Sequence, residues 1–209
     1  EYPEVTIGGA GGIGSWLTFF LGRIGVPMKI FDFDIVDYTN MGGQLFPKNS
    51  IGQHKAVVVK ENIHRFSGSL PIRLEGKFER NTKTNPVTFS CFDNMKARKQ
   101  MVYNWYKANK IQRLSRPTIF IDGRMTVESF QIYAVTPDRY EEYMDKYIFS
   151  DSRVQDPICS MKATSHIGAM IGSCMTQLFT NYLTNFNTGL DLRDLPLRKA
   201  YEASFLDFI

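Results

Sequence analysis

Asp32, Asp34 and Asp37 stand close together in "FDFDIVDYTNMGGQ", followed by Asn40, a glycine pair and Gln44. Asp32 and Asp34 alternate with phenylalanine, which predicts the end of a buried strand. A carboxylate is costly to bury unless something pairs with it. Upstream, "GGAGGIG" supplies Gly9, Gly11 and Gly14 at G-x-G-x-x-G spacing. Between a strand and a helix this pattern gives a tight turn, close backbone approach to phosphate, and amides at the positive end of a helix dipole. Asp32 follows Gly14 by 18 residues, where an acid at the end of a second strand can accept ribose hydroxyls. A nucleotide site is the expectation, and a purely structural glycine turn is its rival. An NAD-dependent oxidoreductase would share the loop and Asp32, but it leaves Asp34, Asn40, Gln44, Lys55 and "CFDN" without a task.

These residues need elements to hold them. "EVTIGG" and "MKIFDF" read as strands, with a helix over "GIGSWLTFFLGRIG" between them. A Gly, Asn and Pro loop leads to a helix over "GQHKAVVVKENIHRF". The strands "LPIRLEGKF" and "PVTFSCFD" follow, then a helix over "NMKARKQMVYNWYKANK". "RPTIFIDG" and "ESFQIYAV" are two further strands with a short connector, and a charged, Tyr-rich turn region comes after them. "ATSHIGAMIGSCMTQLFTNYL" has helical apolar spacing with a broad buried face. The tail from Asp191 has no clear pattern. Alternating strands and helices predict an α/β, Rossmann-like three-layer domain, with a mostly parallel sheet that turns antiparallel at its far side.

The chain has 209 residues, 43% of them hydrophobic and 22% charged, with net charge +4. That fits a single domain over residues 1–209. The positive residues are scattered, so a nucleic-acid partner is not expected. Three cysteines without metal-ligand spacing argue for a reducing compartment. No apolar run is long enough for a membrane span, and a cytoplasmic location is expected. The chain opens almost directly in a strand, so further residues are expected before Glu1.

Four segments in register, "GGAGGIGSWLTFFLGRIGV", "DFDIVDYTNMGGQ", "IGQHKA" and "SCFDNMKAR", resemble the ThiF/MoeB family of ubiquitin-activating-enzyme-like adenylyltransferases. That family shows a GxGGxGS loop, D-x-D-x-V, N-x-x-R-Q, a G-x-x-K before a helix, and D-N/D-x-x-x-R. The match runs over roughly residues 4 to 100, and the helix from 163 to 184 resembles the one that closes the family domain. The resemblance implies adenylation of the C-terminal carboxylate of a small ubiquitin-like or sulfur-carrier protein, with ATP and magnesium, by a homodimer. It implies that Gly9, Gly11, Gly12 and Gly14 form the phosphate loop and that Asp32 holds the ribose. Asp34, Asn40 and Gln44 would stand near the nucleotide, Lys55 would neutralise phosphate, and Asp93 would hold magnesium. Such charges suit a carboxylate attacking a polyanion. Asp93 also reads as a helix N-cap. Arg98 matches the family arginine, with a surface position as the alternative.

The pattern breaks at Gly43, where the family arginine would contact phosphate. The loss of such a contact costs about 1.5–3 kcal/mol. Arg124 is a candidate substitute, with a structural role in its turn as the preferred reading. Paired C-x-x-C motifs are absent, so no zinc is expected, and the N-terminal helix of some members is not in this chain. Family members that pass their substrate on use a cysteine before the closing helix, which makes Cys159 the candidate thioester nucleophile. A buried, inert thiol is its alternative. Cys91 and Cys174 read as core residues, His64 as a surface residue, and His54 and His166 as packing residues or weak site candidates. Two alternatives to adenylation of a protein remain: activation of a carboxylate on a modified tRNA base, and a nucleotide-binding scaffold that has lost catalysis.

Overall fold

The computed structural model describes residues 1–110, 116–150, 165–203 and 206–208. Short apolar runs form the middle of a sheet. β1 (Val5–Gly8) and β4 (Val87–Ser90) are buried along their whole length, as strands covered on both faces must be. β2 (Met28–Phe31) and β3 (Ile72–Glu75) lie outward from β1, and β5 (Ile119–Met125) lies beyond β4. These five strands are parallel. β6 (Ser129–Val135), β7 (Arg198–Glu202) and β8 (Asp207–Phe208) extend the sheet antiparallel, in the order β3-β2-β1-β4-β5-β6-β7-β8.

The helices are α1 (Gly14–Arg23), α2 (Lys55–Ser67), α3 (Met95–Asn109), α4 (Tyr140–Tyr147) and α5 (Ser165–Thr188). Alternation along β5 separates them into two layers. Ile119 and Ile121 join the core with Leu17 of α1, Val59 of α2 and Ile171 of α5. Phe120, pointing the other way, packs with Trp105 of α3 and Tyr143 of α4. Full burial of a ring such as Phe120 is worth about 1.5–3 kcal/mol. The α/β three-layer reading therefore holds, with the sheet parallel through β5 and antiparallel beyond it. No helix among the described residues is long and apolar enough to cross a membrane.

α5 approaches the β1–α1 junction closely because it carries glycine there. A Cβ at Gly168 would lie 2.6 Å from the Gly12 carbonyl oxygen, and one at Gly172 would lie 2.9 Å from the Leu17 nitrogen. Backbone rests on backbone, so the closing helix helps to fix the glycine loop.

Three sequence expectations change. The Tyr-rich region is not a simple turn but contains α4, whose Tyr140 and Tyr143 are buried. The tail supplies β7, which pairs with β6 from Ser129↔Glu202 to Tyr133↔Arg198. β2 ends at Phe31, so Asp32 and Asp34 lie beyond the strand, and Phe33 is 59% exposed. Only its position past the sheet edge frees that ring from the core.

Candidate nucleotide site

Strand order reverses between β1 and β4, and open α/β sheets bind ligands in the crevice at such a switch point. The crevice here is a cleft of about 690 Å³. Gly9, Gly11, Gly12, Asp32, Asp34, Gln44, Lys55 and Asp93 all line it. Residues spread across the sequence converge because each follows the C-terminal end of β1, β2 or β4, or opens α2.

The glycine loop has two kinds of glycine. Gly9 has φ +88°, and a Cβ on Gly14 would sit 1.9 Å from the Gly9 carbonyl oxygen, so both shape the turn. Gly14 lies beneath the cleft rather than on it. A Cβ on Gly11 would meet nothing within 4 Å, which makes the space above Gly11 the cradle a side chain would fill. The N–H groups of Gly11 and Gly12 carry no protein hydrogen bond among the described residues, and α1 has no side-chain cap and no acid in its first turn. Unsatisfied amides at a helix start favour an anion.

Asp32 joins this loop to the strand beside it. One carboxylate oxygen accepts the Ala10 N–H at 2.7 Å and the other accepts the Asp34 N–H at 2.8 Å. Each oxygen keeps a second lone pair. Burial pushes the Asp32 carboxyl above its ordinary value, opposed by those two N–H groups and by Lys55. Lys55 opens α2, is 7% exposed, and places its ammonium 3.0 Å from the Asp34 carboxylate. Its own N–H also donates to the Asp34 carbonyl at 3.0 Å, so Asp34 aims Lys55 into the cleft.

Asp93 is not the cap of α3. Asn94 takes that role, its side chain accepting the Ala97 N–H at 2.8 Å. The Asp93 carboxylate is left exposed, touched by the Asn94 amide at 3.1 Å. The Gln44 Oε1 is buried and has no partner among the described residues, an unspent acceptor on the cleft wall. Trp16 donates to the Gly43 carbonyl at 3.2 Å and the Ser15 hydroxyl accepts the Leu45 N–H at 3.0 Å, so α1 pins the segment that carries Gln44.

Other expected residues are elsewhere. Asn40 does not line the cleft; its side chain accepts the Asp37 N–H at 2.9 Å in a reciprocal capping box. Arg124 is no phosphate ligand here. It donates to Asp122 at 2.7 Å, to the Tyr147 carbonyl at 2.8 Å and to the Tyr143 hydroxyl at 3.0 Å. Arg98 is 5% exposed, buried under the cleft rather than on a surface. Cys91 lines the cleft floor, but burial pushes its thiol up, and Cys174 is half-buried against the core. His64 is half-buried with a ring nitrogen 3.3 Å from the Leu70 carbonyl, while His54 and His166 are exposed and outside the cleft. Cys159 lies outside the described residues.

Sequence reasoning missed Lys77, Arg80 and Lys96, which also line the cleft and form no ion pair among the described residues. Their signal was position: "GKFER" follows β3 and Lys96 opens α3. Phe33 lines the same wall, with the Lys77 ammonium 5.8 Å from its ring centre. The open Gly11 cradle, the orphaned Gln44 oxygen and these cations fit a nucleotide triphosphate. No group of three or more metal-binding side chains exists among the described residues. The exposed Asp93 carboxylate on the cleft wall has the donor chemistry magnesium would need, since that ion is held by one or two carboxylates together with nucleotide phosphates.

A search of curated proteins found no match. Among solved structures, the chain is similar to PaaA, with TM-score 0.70 and 13% identity, over 99% of this chain and 62% of that one. It is similar to E. coli MccB with ATP, with TM-score 0.66 and 14% identity, over 99% and 62%. It is similar to the Microcin C7 biosynthetic enzyme MccB in complex with N-formylated MccA, with TM-score 0.66 and 12% identity, over 99% and 63%. The chain thus spans a little over three fifths of the length of these structures, which share its fold. The ThiF family profile matches residues 3–195, nearly the whole chain and every element around the cleft, and so the chain belongs to the ThiF family.

Proposed function

We propose that this chain adenylates a carboxylate, using ATP, at the C-terminus of a small ubiquitin-like or sulfur-carrier protein or of a peptide. The observation that carries this reading is the convergence of the open Gly11 and Gly12 amides, Asp32, Lys55 and Asp93 on one cleft. Membership of the ThiF family supports it, as does the likeness to E. coli MccB, which has been solved with ATP.

In the proposed reaction a substrate carboxylate oxygen forms a bond to the α-phosphorus, and the bond from that phosphorus to the bridging oxygen of pyrophosphate breaks. The electron pair leaves with pyrophosphate. The glycine amides and the Lys55 ammonium meet the negative charge that grows on the phosphate oxygens. Asp32 accepts from the ribose and orients the nucleotide. Asp93 would hold magnesium, which would supply charge neutralisation for the leaving group. Lys77, Arg80 and Lys96 supply cationic charge that Gly43 does not. Cys159 is proposed to attack the acyl carbon of the adenylate in a further step. The C–S bond of a thioester forms as the acyl carbon–phosphate oxygen bond breaks, AMP leaves with the electron pair and the thiol proton passes to solvent. A homodimer is the proposed assembly.

ATP–pyrophosphate exchange with magnesium tests the reading, using candidate small proteins that end in Gly-Gly and the variants Asp93→Ala and Cys159→Ala. Exchange should require the partner and Asp93 and should survive the loss of Cys159. Measurable ATP binding with no exchange for any partner would favour the second reading, a scaffold without catalysis, for which the glycine at position 43 is the specific support.

A further inference from the structure

Asp122 is 0% exposed, yet it is charged and sits on β5. It shares the α3–α4 side of the sheet with Phe120 by the period of two along a strand. One of its oxygens accepts from Arg98, and the other accepts from Arg124 at 2.7 Å and from the Tyr143 hydroxyl at 2.8 Å. A carboxylate held by two guanidiniums in the interior is expensive to desolvate, and apolar residues would often serve stability as well. The arrangement calls for a reason beyond stability, and the Arg98 contacts supply one. Besides Asp122, Arg98 donates to the Gly123 carbonyl at 2.7 Å and to the Phe92 carbonyl. The Phe92 carbonyl belongs to the peptide that leads into Asp93. The Asp93 carboxylate itself is exposed and touches only the neighbouring Asn94 amide among the described residues. Its Cα–Cβ bond starts from a backbone whose preceding carbonyl Arg98 holds.

We propose that Asp122 is a positioning residue for Asp93, acting through Arg98, which ties the peptide before Asp93 to β5 and so aims the carboxylate into the cleft. The proposal rests on the reading of Asp93 as the magnesium-side carboxylate of a nucleotide site. A planar guanidinium spans Asp122, Gly123 and Phe92 at once because its donors are fixed in a fork; a lysine ammonium cannot. Arg124 forms the opposite arm of the same hub, toward Tyr143 and Tyr147 of α4, and that arm does not lead to Asp93.

Calorimetric binding of ATP alone, with magnesium and with a chelator in its place, tests this without turnover. Wild type should bind more tightly with magnesium. Arg98→Lys, which keeps a cation beside Asp122, should lose about 10–100-fold of the magnesium-dependent affinity and bind metal-free ATP like wild type. Asp122→Asn should follow Arg98→Lys, and Arg124→Lys should retain the wild-type ratio. An unchanged ratio in Arg98→Lys, an equal loss with and without magnesium, or a matching loss in Arg124→Lys would each overturn the positioning role. Wild type that binds ATP with no gain from magnesium would overturn the parent reading of Asp93, and this one with it.

Discussion

The Asp32 carboxylate accepts the Ala10 N–H at 2.7 Å, so the acid after β2 and the glycine loop after β1 form one hydrogen-bonded unit. The acid that is read as the ribose acceptor is also the post on which the phosphate loop leans. Asp32→Ala is expected to lose about 1.5–3 kcal/mol of nucleotide affinity, tenfold or more, since hydrogen bonds to a charged group are lost. Calorimetry with ATP checks this, and an affinity equal to wild type would remove Asp32 from the site.

The loop glycines should separate into two classes. Gly14→Ala forces a Cβ within 1.9 Å of the Gly9 carbonyl oxygen, and should yield a strongly destabilised or misfolded chain. Gly11→Ala meets open space, and should melt close to wild type while it weakens ATP binding by filling the cradle. Thermal melts and ATP titrations of both variants read the difference.

Lys55→Met removes the cation that faces the cleft and leaves Asp34, which is half-exposed and can be hydrated. The expected result is a loss of about tenfold to a hundredfold in ATP affinity, the range of a charge-assisted contact to phosphate. Stability should change much less, because water replaces the ammonium at Asp34. Parallel urea melts would detect the contrary case.

Asp122→Ala leaves the buried guanidinium of Arg98 and the half-buried one of Arg124 without their counter-charge. Breaking such a buried pair typically costs about 3–5 kcal/mol, and urea denaturation should register a loss of that order. Tyr143→Phe removes a single hydroxyl from the same hub and should cost about 1 kcal/mol.

The buried Asp122 and the half-buried Asp32 predict opposite pH behaviour. Burial alone would raise the Asp122 carboxyl, but Arg98 and then Arg124 hold it below its ordinary value of 3.8. Its stabilisation is therefore present above 3.8 and is lost as pH falls through the lower folded value. Asp32 is raised above 3.8 by burial, so the folded chain keeps a proton that the unfolded chain has released. Its contribution falls as pH rises from 3.8 through the folded value. Urea midpoints measured from about pH 3 to pH 7 should show a smaller acid loss in Asp122→Asn than in wild type. In Asp32→Ala the decline above pH 3.8 should be reduced.

What depends on local spacing is legible in the sequence. Gly9, Gly11 and Asp32 point to a glycine loop with an acid beside it because a strand, a tight turn and a helix start occupy a short stretch of chain, and all three line the cleft. Lys55 and Asp93 stand out only through their register with the family motifs, and both line the cleft; the parallel half of the sheet follows from strands alternating with helices. Tertiary structure alone decided what depends on partners far away in the chain. Local sequence offers both Asp93 and Asn94 as the cap of α3, and the fold gives the amide to Asn94. Local sequence leaves Arg98 open between a family arginine and a surface residue, and β5 settles its burial by bringing Asp122 against it across 24 residues. Arg124 has the structural role preferred for it, held by Asp122, Tyr143 and the Tyr147 carbonyl. β7 has little pattern of its own, since the edge of β6 supplies its hydrogen-bond partners. A side chain's local sequence fixes its reach and charge, but which opposite charge it meets is set by the packing of elements that are distant in sequence.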